Sequence, residues 1–381
     1  MSSGGMAQLV AIGAQDVWLT GKPEISFFQS VYKKHTNFSQ VVSRQVVQGK
    51  PSPGGMSTVR FERNGDMLGY VYITAVCKNT TDGKPSSYQT NDWRKIVDYV
   101  EFYIGGQLID TQTSEFTELL APHLFSQNLA KSVTGYHHSG YGTPSSFYPL
   151  RFWFCENFQS AIPLVALQYH EVEIRIYWSK QLDSTSTALS RGNTRDDNPP
   201  SSIITFDVYA QNIFLDTQER QGLTKKTHNV IITQVQSMNP SNTPVMDIVF
   251  NHPVKFICSS PGELLQTSKA TNTYALTSNQ NQVVLQINGS DIGDYKYASP
   301  HFTEVLSYYH APYSSDNTST FFLVPFCLET PKFQPNGSLN FSRIDSFRIV
   351  SKTLPITSKV YGVNYNILRI QNGMGGLMYS N

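Results

Sequence analysis

The side chains that could do chemistry in this chain stand apart from one another. His137 and His138 are adjacent in a stretch rich in Tyr, Gly and Ser. Two imidazoles could begin a zinc site, but no third His, Cys or Asp lies at ligand spacing, so a surface loop is expected. His170, between Tyr169 and Glu171, could act as a general base; a structural hydrogen bond within its sheet is the expected role. Gly13–Lys22, GAQDVWLTGK, has the outline of a phosphate loop. Its glycines are eight apart where that motif needs five, and Pro23 stands where a magnesium-binding hydroxyl belongs. No Ser, Cys or Thr sits in a nucleophile elbow, and no two carboxylates share a setting that would push their pKa values apart. The expected sets of catalytic, cofactor-binding and metal-ligating residues are therefore empty, and no cofactor is implied.

Cys77, Cys155, Cys258 and Cys327 are widely spaced in apolar or strand-like contexts, which predicts buried free thiols in a reducing compartment. Six Asn-x-Ser/Thr triplets begin at Asn37, Asn79, Asn288, Asn317, Asn336 and Asn340. No basic and apolar signal segment precedes them, so secretory glycosylation is not expected. Lys33-Lys34-His35 and Lys225-Lys226 are short basic runs, read as solvated or interface charges.

The elements around these residues are strands. Val172, Ile174 and Ile176 face one way while Glu171, Glu173 and Arg175 face the other, the period-two pattern of a half-buried strand. Further strands are predicted at Thr58–Phe61, Gly69–Cys77, Ile96–Ile104, Arg151–Cys155 and Ile203–Phe214. After Leu215 the pattern breaks at DTQERQGLTKKTH, Asp216–His228, where the connection between two halves is placed. Strands resume at Val230–Gln236, Met246–Phe250, Val254–Cys258, Gln282–Ile287, Phe321–Phe326, Ile344–Val350 and Val360–Ile370. Turn-forming clusters such as KPSPGG and DDNPPSS separate them. One short helix is predicted, at Ser114–Leu124.

The 381 residues exceed one ordinary sandwich and favour two cores. Charged residues are 15% and aromatics 12%, a balance suited to sheets that hide surface in an assembly. With 29 basic and 28 acidic residues the net charge is +1, so no field draws nucleic acid or an anionic membrane. No run approaches the roughly 18 apolar residues of a spanning helix.

The halves repeat one another. YIGGQLID (Tyr103–Asp110) precedes FTELL (Phe116–Leu120), as QINGSDIGD (Gln286–Asp294) precedes FTEVL (Phe302–Leu306). FWFCEN (Phe152–Asn157) then matches PFCLET (Pro325–Thr330), and IRIYW (Ile174–Trp178) matches SFRIV (Ser346–Val350). Four matches in one order predict two copies of one antiparallel sandwich.

Four segments, Gly13–Ser39, Pro149–Ile174, Asn251–Ile257 and Tyr365–Asn381, together resemble the double jelly-roll major capsid proteins of nucleocytoplasmic large DNA viruses, the group of iridoviruses, chloroviruses and marseilleviruses. The resemblance covers essentially the whole chain. It implies an all-β fold of two tandem eight-stranded antiparallel jelly rolls with short helical turns in loops. The implied division is an inner-face segment at 1–25, a first roll at 26–215, a connection at 216–243 and a second roll at 244–381. It further implies a homotrimer with a pseudo-hexagonal outline, tiling an icosahedral shell beside neighbouring capsomers and minor capsid proteins. Contact with an inner viral membrane would run through associated proteins, without direct nucleic-acid binding. The expected location is the virion, after assembly in the host cytoplasm. A minor or penton-associated capsid paralogue and a jelly-roll glycan- or receptor-binding module are the alternatives.

Overall fold

The computed structural model describes residues 3–78, 84–87, 93–125, 147–183, 203–260, 274–312 and 321–379. Residues 1–37 form a unit of their own, with helices α1 (Ser3–Val10) and α2 (Val17–Thr20). Residues 38–381 form the other, and all the sheets lie there.

The first sandwich pairs two sheets. One joins β1 (Phe38–Gln45), β11 (Ile203–Leu215), β4 (Met67–Lys78) and β5 (Pro85–Ser87), with β8 (Phe147–Pro149) and β9 (Ile162–Pro163) also on β4. The other runs β2 (Val47–Gln48), β3 (Met56–Arg60), β10 (Val172–Trp178), β6 (Val97–Ile104) and β7 (Gln107–Thr113). The alternation read in β10 is realised: Val172, Ile174 and Ile176 enter the core, while Glu173 turns to Arg175 at 2.8 Å.

The second sandwich repeats this order. Its first sheet joins β12 (His228–Met238), β21 (Val360–Gln371), β14 (Pro253–Ser259) and β18 (Phe322–Pro325), with β19 (Leu339–Asn340) on β14 and β22 (Met374–Leu377) on β21. Its second joins β13 (Val245–Ile248), β20 (Phe347–Ser351), β15 (Gln282–Ile287) and β16 (Ser290–Asp291), with β17 (Lys296–Tyr297) on β15. The sequence repeat maps onto matching hairpins. Gly105 and Gly106 close β6 onto β7 with φ of 57° and 81°, and Asn288 and Gly289 close β15 onto β16 with φ of 48° and 80°. Both turns need positive φ at two central residues, which Gly and Asn accept at least cost. After each hairpin comes a short helix: α3 (Ala121–Leu124) behind a π-turn at Phe116–Leu120, and, in the second half, Leu306–His310 behind a π-turn at Ala298–Val305.

Three expectations change. The strand predicted at Arg151–Cys155 is instead a helical turn, α4 (Trp153–Glu156). Phe152, Trp153 and Phe154 are all buried against one ring, that of Phe102, at centroid distances of 5.4, 5.4 and 5.0 Å. A continuous strand would turn every second side chain away; here an extended Phe152 leads into a helical turn at Trp153, and the change of conformation brings all three rings to Phe102. The polar connection contains helix α5 (Thr217–Lys225), started by Asp216, whose side chain accepts the Thr217 N–H. No residue of α5 is buried, so no apolar stripe marked it in the sequence. The stretch 216–243 assigned to the connection also holds β12, which pairs with β21 along its full length. In keeping with these labels, Leu306–His310 is α6.

Candidate functional site: the seam between the two sandwiches

Among the described residues, those that lock the two sandwiches together form the most elaborate constellation. Its apolar layer sets Phe116, Leu119, Leu120 and Leu124, on α3 and the turn before it, against Phe256, Cys258, Leu323, Tyr361 and Val363 of the second sandwich. The Phe116 ring lies 5.5 Å from Tyr361, Phe125 lies 6.1 Å from Phe256, and His123 stacks on Phe321 at 5.5 Å. Tyr361 donates its hydroxyl hydrogen to Glu115 at 3.0 Å and accepts from Thr113 at 3.1 Å. Burial, then the Glu115 carboxylate, push the Tyr361 phenol well above its usual range.

A polar layer lies beside it. Asp110 accepts the Val235 N–H at 2.8 Å across the seam, the Thr111 N–H at 3.0 Å and the Gln112 amide at 3.0 Å. Even with three donors, burial dominates and lifts its carboxyl to about 7. Gln234 donates to the Ile109 carbonyl and accepts from Asn366 at 2.9 Å. These buried groups have partners in both sandwiches, which fixes one register between them.

The third layer is a latch. Tyr169 N donates to Gly373 O at 2.9 Å, and His170 Nδ1 lies 2.8 Å from Gly375 O. Any Cβ on Gly373 would meet the Tyr169 ring at 2.6 Å, and one on Gly375 would meet Leu167 at 2.6 Å. Arg63 holds the same segment from below, donating to the Gln168 and His170 carbonyls at 2.7 and 3.3 Å. The two stretches most telling in the sequence, around Leu167–His170 and Gly373–Gly376, are thus in contact.

A cavity of about 280 Å³ opens beside the seam, lined by Arg151, Glu156, Lys255, Thr330 and Tyr365 among others. Lys255 donates to the Thr330 and Lys332 carbonyls at 2.7 and 2.9 Å, and burial lowers its pKa to about 8. Arg151 pairs with Glu156 at 2.9 Å. These charges hold loops in place.

The sequence candidates fall as follows. His137 and His138 lie outside the described residues. His170 makes a structural hydrogen bond, but to the second sandwich and not within its own sheet as expected. Gly13–Lys22 is exposed and carries α2 where a phosphate loop would need a strand-to-helix turn. Cys258 and Cys327 are buried and Cys155 is half-buried, all three free; the side chain of Cys77 lies outside the described set. Burial raises the Cys155 and Cys258 thiols and takes Cys327 to about 11. Among the described residues, no cluster of three or more His, Cys, Asp or Glu could hold a metal ion. Phe116 and Phe302 stand on corresponding helices, yet Phe116 faces the seam while Phe302 packs on Phe322 in its own core.

Residues 26–216 match the family model of the major capsid protein N-terminus, and residues 219–376 match that of the large eukaryotic DNA virus major capsid protein. The major capsid protein of Pyramimonas orientalis virus is 32% identical, over 99% of this chain and 100% of that protein. That of Paramecium bursaria Chlorella virus 1 is 29% identical, over 100% of both. Among solved structures, the PBCV-1 virus capsid matches with a TM-score of 0.73 at 24% identity, covering 93% of this chain and 100% of that one. The Faustovirus major capsid protein matches at 0.61 with 13% identity, over 94% of each. Two sandwiches in this strand order, joined by a seam of apolar packing and buried hydrogen bonds, define a double jelly-roll protein. The chain belongs to the major capsid protein family of large eukaryotic DNA viruses. It is a structural component of the virion and not an enzyme.

Proposed function

We propose that three copies associate into a pseudo-hexagonal capsomer, which tiles an icosahedral shell together with neighbouring capsomers and minor capsid proteins. The observation that carries this is apolar surface left bare by a single chain. In the amino-terminal unit Trp18, Phe27, Phe28 and Tyr32 are each at least 89% exposed. Side chains of that size in water mark surfaces meant for a partner. The rigid seam suits the same end, because it turns two sandwiches into one block with one shape. The exposed unit offers this surface to neighbouring copies and to minor capsid proteins, and contact with an inner membrane would pass through the latter. Assembly in the host cytoplasm accords with free thiols at the three described cysteines. Obligate interfaces commonly bury on the order of 2,000 Å² or more, so the capsomer should survive dilution. Light scattering on the purified chain should give a mass near three times 42.8 kDa, with hexagonal outlines in electron micrographs. A folded, monodisperse monomer at micromolar concentration would sink the proposal and favour a binding module.

A further inference from the structure

The seam joins one face of each sandwich, and the repeat gives each sandwich a counterpart of both faces. Strand pairing sets the correspondence residue by residue. Tyr72 on β4 lies opposite Pro149 on β8 and Tyr209 on β11, as Phe256 on β14 lies opposite Pro325 on β18 and Val363 on β21. Phe256, Val363 and Cys258 are part of the floor under α3. Their counterparts in the first sandwich are Tyr72, Tyr209 and Thr74, all half-exposed on the outer face of its sheet. There the Tyr72 and Tyr209 rings stack at 5.2 Å, with Tyr70 stacked on Tyr72 at 6.4 Å.

The helices correspond in the same way, with Phe116-Thr117-Glu118 aligned on Phe302-Thr303-Glu304. Leu119, Pro122 and His123 are buried under the second sandwich. Their counterparts Val305, Tyr308 and Tyr309 are 38%, 70% and 71% exposed. Within one chain, therefore, the helix–floor contact is made once; the second helix leaves Tyr308 and Tyr309 exposed, with Ala311 at its end half-buried beside the seam, and the second floor is half-exposed.

We infer that α6 of one copy docks through Tyr308 and Tyr309 on the tyrosine face of β4 and β11 of a second copy, repeating between chains the contact that joins the sandwiches within one. The inference rests on the capsomer reading and names its contact surface. Such a contact is heterologous: every copy offers a helix at one end and a floor at the other, so it passes from chain to chain and closes when the ring is complete. The two versions differ in chemistry in a way that fits their tasks. Inside the chain the contact is made mainly by Phe, Leu, Cys and Val, with the one tyrosine of its floor, Tyr361, tied to Glu115 and Thr113. Between chains it is made by tyrosines. The pair Arg44–Asp207, 2.6 Å apart, stands on this face where Val235 and Tyr361 stand in the seam. Tyrosine keeps a hydrated hydroxyl before docking and offers a large rigid ring afterwards, so the unassembled chain stays soluble.

The test uses the full chain. Y308E/Y309E disables the helix, and Y209E disables the floor. Each variant should shift the light-scattering mass from threefold to that of one chain, with wild-type circular dichroism. Mixed in equal amounts, the two retain one good helix and one good floor, and should form a species of twice the chain mass. A symmetric contact would not be restored by mixing. A second measurement does not depend on those variants folding. Phe125 and Phe256, 6.1 Å apart in the seam, correspond to Ala311 and Tyr72. A311C/Y72C should therefore crosslink chain to chain under mild oxidation, while A311C or Y72C alone should not. Glutamate variants that keep the wild-type mass, or an oligomer that A311C/Y72C fails to crosslink, would overturn the surface assignment and leave the capsomer standing. A wild-type monomer would overturn the capsomer reading itself.

Discussion

Gly105 and Gly106 are neighbours in one turn, and substituting each by alanine separates two costs that are usually confounded. Both have positive φ, 57° and 81°, so alanine at either pays a left-handed backbone penalty of about 1–2 kcal/mol. Only Gly105 is overhung. A Cβ there would lie 2.3 to 2.7 Å from three atoms of the His170 ring, whereas one on Gly106 meets nothing within 4 Å. Contacts that short require the ring to move, and moving it breaks the tie to Gly375, worth about 1 kcal/mol. Gly105→Ala should therefore cost about 2–3 kcal/mol and Gly106→Ala about 1–2 kcal/mol. Urea unfolding of the single variants and of Gly105→Ala in a His170→Ala background gives the cycle. With the ring gone, the cost of Gly105→Ala should fall to that of Gly106→Ala. Equal costs for the two single variants, or a Gly105→Ala cost untouched by removing His170, would refute the reasoning.

Two further outcomes follow from the seam. Phe116→Ala empties a fully buried site between the sandwiches and should cost about 3–5 kcal/mol, splitting the calorimetric transition as the two halves lose their coupling; a single transition at the wild-type temperature would contradict this. Asp110 keeps its proton up to about pH 7 in the folded chain against 3.8 when unfolded, so between those values the folded state binds more protons and stability falls as pH rises. Asp110→Asn should flatten that slope, measured as denaturation midpoints from pH 4 to 7, and an unchanged slope would assign it to other groups.

Much of the frame was legible because it is written in local pattern. The alternation in β10 and the Gly and Asn turns at 105–106 and 288–289 are properties of a few adjacent residues. What was missed belongs to partners far away in the chain. β1 is exposed along most of its length, so no alternation announced it. Three aromatics in a row at Phe152–Phe154 carry strong strand preference, and only the Phe102 ring they surround decides for a helical turn. Asp110, Gln234 and Asn366 look like surface residues in sequence, since their burial depends on a second sandwich. For His170 the kind of interaction was readable and the partner was not.

The latch also sets a clock. His170 and Gly375 are 205 residues apart, and Gln107 and Leu377, joined at 3.1 Å, are 270 apart. A ribosome adding roughly 5–20 residues per second needs on the order of 10–50 s to travel from the first of these positions to the last. Until Phe256, Leu323, Tyr361 and Val363 have been made, Phe116, Leu120 and Leu124 lack the cover that the folded chain gives them. The cover over the apolar layer comes from Phe256 to Val363, and the latch at Gly375 and Leu377 can close only after it. A chain cut short before Gly373–Leu377 would keep the apolar layer of the seam and lose the latch, leaving its two sandwiches joined without that last tie.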